Sequence, residues 1–414
     1  VSPTPALSAG GGPDDGPRVF LSCGEASGDL YAAGLARAIH AARPSASVRG
    51  FGGDRLREAG AGLIGSYRGL SVTGLVEAAS VLGRSWRMLR AIGEAAREWR
   101  PHVFVAIDFP DFNFRLLPIF RRLGVPIVYY VSPQIWAWRR GRLSTLRQYV
   151  DRMLVIFPFE VPIYEDAGVP VEFVGHPLID VSATPRSRHA CRTALSLRDD
   201  RPVLALLPGS RPNELRHVLP TLTAAAPAIA AHVPGVQFVV ARAPALEDTL
   251  FAPLDSLRRA GLPVVVATDA TDDVLAASDA VITASGTATV QTALHGRPMA
   301  IVYRLSPVTY AIGRRVVRVP AYGMVNLVAG RTVVPELIQD ALTPQAVARE
   351  AISLLTDRAR IDAMQRDLAD VRARLGGPGA SARAAAAVLA VAEHRASRVE
   401  PAGASIEPRY TLRP

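Results

Sequence analysis

Cysteine is scarce: only Cys23 and Cys191 occur in 414 residues. Two such residues form no zinc spacing and no disulfide framework, which suits a reducing compartment. Cys23 closes an apolar run and reads as a small core residue rather than a nucleophile. No apolar run reaches the ~18 residues that cross a bilayer, so the chain is expected to be soluble or held at a membrane surface. Residues 1–16 carry no basic stretch ahead of an apolar one and do not read as a signal peptide. Their Pro, Gly and Ser predict a loose, disordered tail. No fixed-period repeat is visible. No Gly-x-Gly-x-x-Gly follows a strand, which disfavours NAD. No cluster of His, Cys, Asp and Glu marks a metal site, so neither metal nor cofactor is expected.

What is present describes a globular protein. Apolar residues make up 49% and charged residues 20%, an ordinary balance. The formal charge of +10 favours anionic partners or reflects a proteome rich in Arg and Ala. No nucleic-acid-binding module is recognisable. The length suits two domains. Short apolar strand candidates lie at Arg18–Cys23, Val103–Ile107, Ile127–Val131 and Met153–Ile156. A second series lies at Val203–Leu207, Phe238–Ala241, Val264–Ala267 and Ala280–Thr283. Helical patterns separate most of them, which predicts α/β architecture: two Rossmann-like, doubly wound domains with parallel sheets covered on both faces. A cluster of Ser, Thr, Pro, Arg and Asp places a linker at 181–200, between domains at 17–180 and 201–377. A helix and ragged tail follow over 378–414.

Sites in such sheets lie beyond the carboxyl ends of the strands, and the informative loops follow strands. The first strand runs into Gly24-Glu25-Ala26-Ser27-Gly28-Asp29. Glycines permit close approach to a ligand, and the helix start offers N–H groups to an anion, making Ser27, Gly28 and Asp29 candidate cleft residues. The alternative is a tight turn with Ser27 or Asp29 as N-cap. The Val103 strand leads into Asp108-Phe109-Pro110-Asp111-Phe112-Asn113. Asp111 reads as a cap of the next helix. Asp108 is then the candidate general base, its pKa raised by burial against Phe109 and Phe112. Next, Ser132-Pro133-Gln134-Ile135-Trp136-Ala137-Trp138-Arg139-Arg140 offers Trp136 to a sugar ring or acyl chain and Arg139 to a phosphate, unless the tryptophans pack inward.

In the second half, Pro208-Gly209-Ser210-Arg211 follows one strand and Ala284-Ser285-Gly286-Thr287 another. Backbone N–H groups at Gly209 and Ser210, the Arg211 guanidinium and the helix start at Ser285, Gly286 and Thr287 together make a diphosphate site. His176, at a strand end in Gly175-His176-Pro177, reads as a satisfied structural histidine.

Taken in order, these loops resemble the lipid-A-disaccharide synthase family, from about Val19 to Gln339. Phe157-Pro158-Phe159-Glu160 and Asn326-Leu327-Val328-Ala329-Gly330-Arg331 add to the match. The Ser-Pro-x-x-Trp-Ala-Trp loop is specific, whereas Gly-Ser-Arg and Ser-Gly-Thr alone indicate only the wider glycosyltransferase-B group. The resemblance implies an acceptor-binding N-terminal domain, a UDP-sugar-binding C-terminal domain and a cleft between them. It also implies an inverting, metal-independent transfer of diacylglucosamine from UDP to the 6-hydroxyl of diacylglucosamine 1-phosphate, giving a β-1,6 disaccharide and UDP. Asp108 would take the proton, while Gly209, Ser210, Arg211, Ser285, Gly286, Thr287, Gln291 and Asn326 would hold the UDP-sugar. Two departures stand out. Gln291 replaces the usual Glu, which commonly bonds the ribose, and Val325 replaces the usual Pro before Asn326.

Rival readings are a cell-wall N-acetylglucosaminyl transferase, a UDP-sugar 2-epimerase and a non-catalytic binding module. Acylated substrates imply a cytoplasmic enzyme placed peripherally on the anionic inner-membrane surface. The stretch from Leu70 to Arg100 is the candidate contact. Met88, Leu89, Ile92, Ala96 and Trp99 share one helical face, facing lipid or core, and Arg84, Arg87, Arg90 and Arg97 fall largely on the other. The loop Leu70 to Val76, with few charges, is the expected insertion site. A homo-oligomer is compatible with the sequence.

Overall fold

The structure is a computed structural model that describes residues 16–67, 75–135, 140–182, 186–305 and 321–399. Two parallel sheets organise it. The first contains β1 (Arg18–Cys23), β2 (Ser47–Gly52), β3 (Gly62–Ser66), β4 (Val103–Ile107), β5 (Ile127–Tyr130), β6 (Arg152–Val155) and β7 (Val171–Phe173), in the order β3-β2-β1-β4-β5-β6-β7. The second contains β8 (Val203–Leu207), β9 (Gln237–Arg242), β10 (Val264–Thr268), β11 (Ala280–Ala284), β12 (Met299–Tyr303) and β13 (Glu336–Ile338), in the order β10-β9-β8-β11-β12-β13. In each sheet the order reverses beside the first strand, between β1 and β4 and between β8 and β11. A doubly wound sheet leaves its ligand crevice at that switch point.

The alternation of side chains along the strands separates two cores. Val19, Leu21 and Cys23 of β1 and Val103, Val105 and Ile107 of β4 face one core, while Phe20, Phe104 and Ala106 face the other. That period of two is what a sheet covered on both faces requires. The strands missing from the sequence reading are β2, β3, β7, β12 and β13. β2 and β3 carry glycines and polar residues, and β7 and β13 have three residues each, too short for a periodic signal. β12 is fully apolar, but its pattern alone does not tell strand from buried helix.

Helices cover the sheets. Those that matter here are α1 (Ala26–Ala42), α2 (Asp54–Glu58), α3 (Leu75–Trp99), α4 (Pro110–Arg122), α5 (Pro212–His232), α6 (Thr287–Leu294), α7 (Met324–Ala329) and α8 (Ala380–Val399). The last of these returns to the first domain and packs on α1. Asp180 accepts hydrogen bonds from the Gly379 and Ser381 N–H groups at 2.6 and 2.8 Å, the Arg383 Nε donates to Val174 O at 2.8 Å, and Arg43 pairs with Glu393 at 3.0 Å. The chain thus crosses between domains twice.

In α3, Leu89, Ile92 and Ala96 are buried in the core beside Phe104 and Phe120, with Met88 and Trp99 packed against them. The face that the sequence left open to lipid or core therefore faces the core. Arg84, Arg87, Arg90 and Arg97 are exposed. Trp86 stands among them with 69% of its surface exposed.

Candidate active site

The strand registers bring the site together. Cys23 pairs with Ile107 at the ends of β1 and β4, and Ala284 pairs with Val302 at the ends of β11 and β12. The loops after β1 and β4 are therefore level neighbours. Gly24 permits their contact, since a Cβ there would fall 2.0 Å from the Phe109 ring. No side chain fits between them.

Asp108 follows β4 with φ 45°, and Phe109 follows with φ 49°. Two consecutive non-glycine residues in the left-handed region are costly and persist only where surroundings hold them. Here the Asp108 carbonyl is clamped. It accepts from Asn113 Nδ2 at 2.7 Å and from the Tyr129 hydroxyl at 2.8 Å. Asn113 is fully buried and also accepts from Ser22 Oγ at 2.7 Å through its Oδ1. These interactions fix the backbone that aims the Asp108 carboxyl.

Asp108 keeps part of its surface open, but crowding by protein atoms costs it hydration. That loss, reinforced by the Glu25 carboxylate and opposed by the Phe109 N–H and Arg211, pushes its pKa up to about 7. A carboxyl poised near neutrality is suited to general-base work. The Phe109 and Phe112 rings that follow it in sequence lie with centroids 5.4 Å apart. Asp111 is not the cap of α4. Phe109 holds the N-cap position, and Asp111 sits exposed in the first turn, paired with Arg142 at 2.8 Å.

Glu25 is the site residue that the sequence reading missed, although it stands inside the first loop. It takes the N-cap position of α1 in place of Ser27 or Asp29. Its carboxylate accepts from the Arg211 guanidinium at 2.5 Å, joining the two domains across the cleft. Ser27 is partly exposed in the first turn of α1, and Gly28 is buried against Cys23. Asp29 points elsewhere. Its buried carboxylate accepts from the N–H groups of Gly53, Arg55 and Leu56 at 2.7, 3.1 and 3.2 Å and anchors α2.

The two Gly-Ser loops of the second domain differ. At the start of α5, Glu214 Oε2 accepts from the Ser210 and Arg211 N–H groups at 2.9 and 3.3 Å. The Ser210 donor expected for a diphosphate is therefore occupied by the protein itself, and Arg211 offers its guanidinium instead. At the start of α6, Gly286 is the N-cap and no side chain caps the helix. The Thr287 side chain bonds Tyr31 of the first domain, and Ser285 Oγ donates to Tyr322 O at 3.2 Å. That helix start is open to an anion.

Gln291, one turn along α6, donates to Asp272 Oδ1 at 2.8 Å. Ser182 Oγ donates to the same oxygen at 2.6 Å, and His295 Nε2 lies 2.8 Å from it. Burial works against the Asp272 charge, but the bonds from His295, Ser182 and Gln291 outweigh it and hold its pKa below the usual value. A glutamate at 291 would meet that carboxylate, whereas glutamine donates to it. Asn326 is buried and spent. Its Nδ2 donates to Val334 O and Glu336 Oε1, and its Oδ1 accepts from Val333 and Val334 N–H groups. It shapes the turn after α7 rather than presenting a free amide to the cleft. His176 is buried, accepts from the Leu178 N–H at 3.2 Å, and burial lowers its pKa to about 3, as a neutral structural histidine. Trp136 and Arg139 lie outside the described residues. Among the described residues, no three His, Cys, Asp or Glu side chains are placed to hold a metal ion.

The sequence pattern of lipid-A-disaccharide synthetase matches residues 19–391. The chain belongs to this family. The lipid-A-disaccharide synthase of Trichlorobacter lovleyi is 44% identical over 379 residues, covering 91% of this chain and 98% of the relative. The fold is shared more widely. UDP-GlcNAc 2-epimerase from Neisseria meningitidis, solved with UDP-GlcNAc, superposes with a TM-score of 0.64 at 12% identity, over 90% of this chain and all of the other. CalG4, the calicheamicin glycosyltransferase, superposes with a TM-score of 0.55 at 20% identity, over 93% of this chain and all of the other. Like its synthase relatives, the chain is a glycosyltransferase that forms the lipid A disaccharide, built on two Rossmann-like domains of the glycosyltransferase-B type.

Proposed function

We propose that the protein condenses UDP-2,3-diacylglucosamine with 2,3-diacylglucosamine 1-phosphate by a single inverting displacement at the Asp108 cleft. The observation that carries this reading is the Asp108 carboxyl, held near neutral pKa beside a Glu25–Arg211 pair that spans both domains. The acceptor 6-oxygen forms a bond to the sugar C1 as the bond from C1 to UDP breaks, and Asp108 takes the hydroxyl proton. Arg211 and the open start of α6 receive the charge on the leaving diphosphate. The Glu25 carboxylate keeps Arg211 in reach until substrate replaces it.

Both substrates carry acyl chains, and none of the described helices is long and apolar enough to cross a membrane. Contact with lipid is then interfacial, at a cytoplasmic, anionic inner-membrane surface. The exposed Trp86 with Arg84, Arg87 and Arg90 on α3 is the described surface suited to it. Of the loop expected at Leu70 to Val76, residues 70–74 lie outside the described residues, and Leu75 and Val76 belong to the first turn of α3.

Incubating the protein with both substrates and identifying products by mass spectrometry tests the reading. The disaccharide 1-phosphate and UDP in equal amounts are expected. UDP release that needs no acceptor would point instead to an epimerase.

A further inference from the structure

An arginine-lined concavity lies away from Asp108, which is absent from its lining. It is a cavity of about 690 Å³ at the amino edge of the second sheet, beside Pro202 and Asp279, which immediately precede β8 and β11. Donor and acceptor loops occupy the opposite, carboxyl edge, so a ligand here and a ligand in the cleft do not compete for space.

Five arginines and three aspartates line it, and Arg188 and Arg192 share one of those carboxylates, Asp279. Arg192 is buried and its Nη2 donates to Asp279 Oδ2 at 2.9 Å, while Arg188 pairs with the other oxygen of Asp279. Asp279 Oδ2 also accepts from the Val203 N–H at 2.8 Å. Arg297 stands beside them. Its Nη2 donates to Ala276 O at 2.9 Å, yet its Nε is buried with no hydrogen-bond partner among the described residues. Burial first, then repulsion from Arg188 and Arg192, lowers its pKa against the pull of Asp279. With five arginines against three aspartates in its lining, and a buried donor unmet on Arg297, the cavity has capacity for another anion. Leu354, Leu355 and Ile361 add apolar surface to the lining. The sequence contains no lysine, so recognition here is by planar guanidinium forks, whose geometry matches phosphate oxygens.

We propose that the Arg188–Arg192–Arg297 cavity is a second binding site, for the phosphate group of a small molecule whose remaining part is apolar or absent. A free phosphate compound and a lipid phosphate both carry this chemistry, and separate arms of the test distinguish them.

The protein is first saturated with UDP so that the cleft is filled. It is then titrated calorimetrically with inorganic pyrophosphate and, separately, with monomeric dihexanoyl phosphatidic acid. Saturable binding of at least one is expected, and the tighter of the two names the source. Arg188→Gln should weaken that binding about tenfold. Arg188 is about half-exposed and its removal leaves Arg192 on Asp279, so this variant should fold. Arg297→Gln should do the same, with circular dichroism confirming its fold. Arg211→Ala should leave the binding unchanged. No saturable heat with either probe, binding equal to wild type in folded Arg188→Gln, or binding lost in Arg211→Ala would overturn the proposal. The last result would place the anion in the cleft.

Discussion

The Arg211 guanidinium donates to the Glu25 carboxylate at 2.5 Å, one residue from each domain, beside Asp108. Both charges act on the candidate base in opposite senses. Burial does most to raise its pKa, Glu25 adds to that rise and Arg211 lowers it, so the pair adjusts the pH at which the carboxyl ionises.

Glu25→Gln should move the acidic limb of the pH profile. With Asp108 held at about 7, kcat/KM should rise through that pH as the base ionises. Removing the Glu25 charge removes a raising influence, so the limb shifts to lower pH. A limb that stays in place would separate Glu25 from the ionisation of Asp108.

Asp108→Asn should cost turnover at least about 100-fold with UDP affinity near normal. The same change should stabilise the fold at alkaline pH. Because the folded pKa of Asp108 is raised, the ionised carboxylate is disfavoured in the folded state, and that cost grows between the unfolded value near 3.8 and about 7. Urea unfolding at pH 8 should show a gain of about 1–2 kcal/mol after allowance for partial exposure, falling away towards pH 4. Full activity, or a gain that grows towards pH 4, would contradict this assignment.

Arg211→Ala should weaken UDP binding by about 1.5–3 kcal/mol through loss of a charge-assisted bond. Titration calorimetry reads the change directly, and an unchanged affinity would remove Arg211 from the diphosphate.

Gln291→Glu, judged from the resemblance alone, restores a ribose ligand and should tighten donor binding. The structure gives the opposite sign for stability. The variant loses the bond to Asp272 and sets two carboxylates together, at a cost of about 1–3 kcal/mol at pH 7. The loss should shrink as acid protonates one of them. Denaturant unfolding at pH 7 and pH 4.5 checks both statements.

Vesicle sedimentation tests the surface of α3. Binding to anionic vesicles should fall as salt rises, and Trp86→Ser should weaken it about tenfold by removing an apolar anchor from an arginine-rich surface. Equal binding of the variant would move the contact elsewhere.

Much of this was legible along the chain because its physical cause is local. Apolar runs bounded by Gly, Pro or Asp mark strands such as Val103–Ile107 and Val203–Leu207, whose ends match the structure, since a buried strand needs an unbroken apolar stretch and a terminator. The carboxyl ends of those strands then pointed to Asp108, Arg211 and Gly286, because a doubly wound sheet exposes its loops there.

Residue type alone did not say which polar group meets which. Asp29 and Asn326 look like ligands in sequence, but their oxygens are taken by backbone N–H groups of α2 and of the turn after α7. Glu214 fills the donors that a Gly-Ser-Arg loop offers to phosphate. Glu25 reaches Arg211 over 186 positions of chain, and α8 crosses back to Asp180 over 199. Periodicity and capping act within a few residues, so the sequence determined the strands, the helix starts and the strand-end carboxyl. Burial and hydrogen-bond satisfaction are settled by whatever the folded chain brings opposite, so only the tertiary structure decided which carboxylates anchor helices and which one has its pKa raised to about 7.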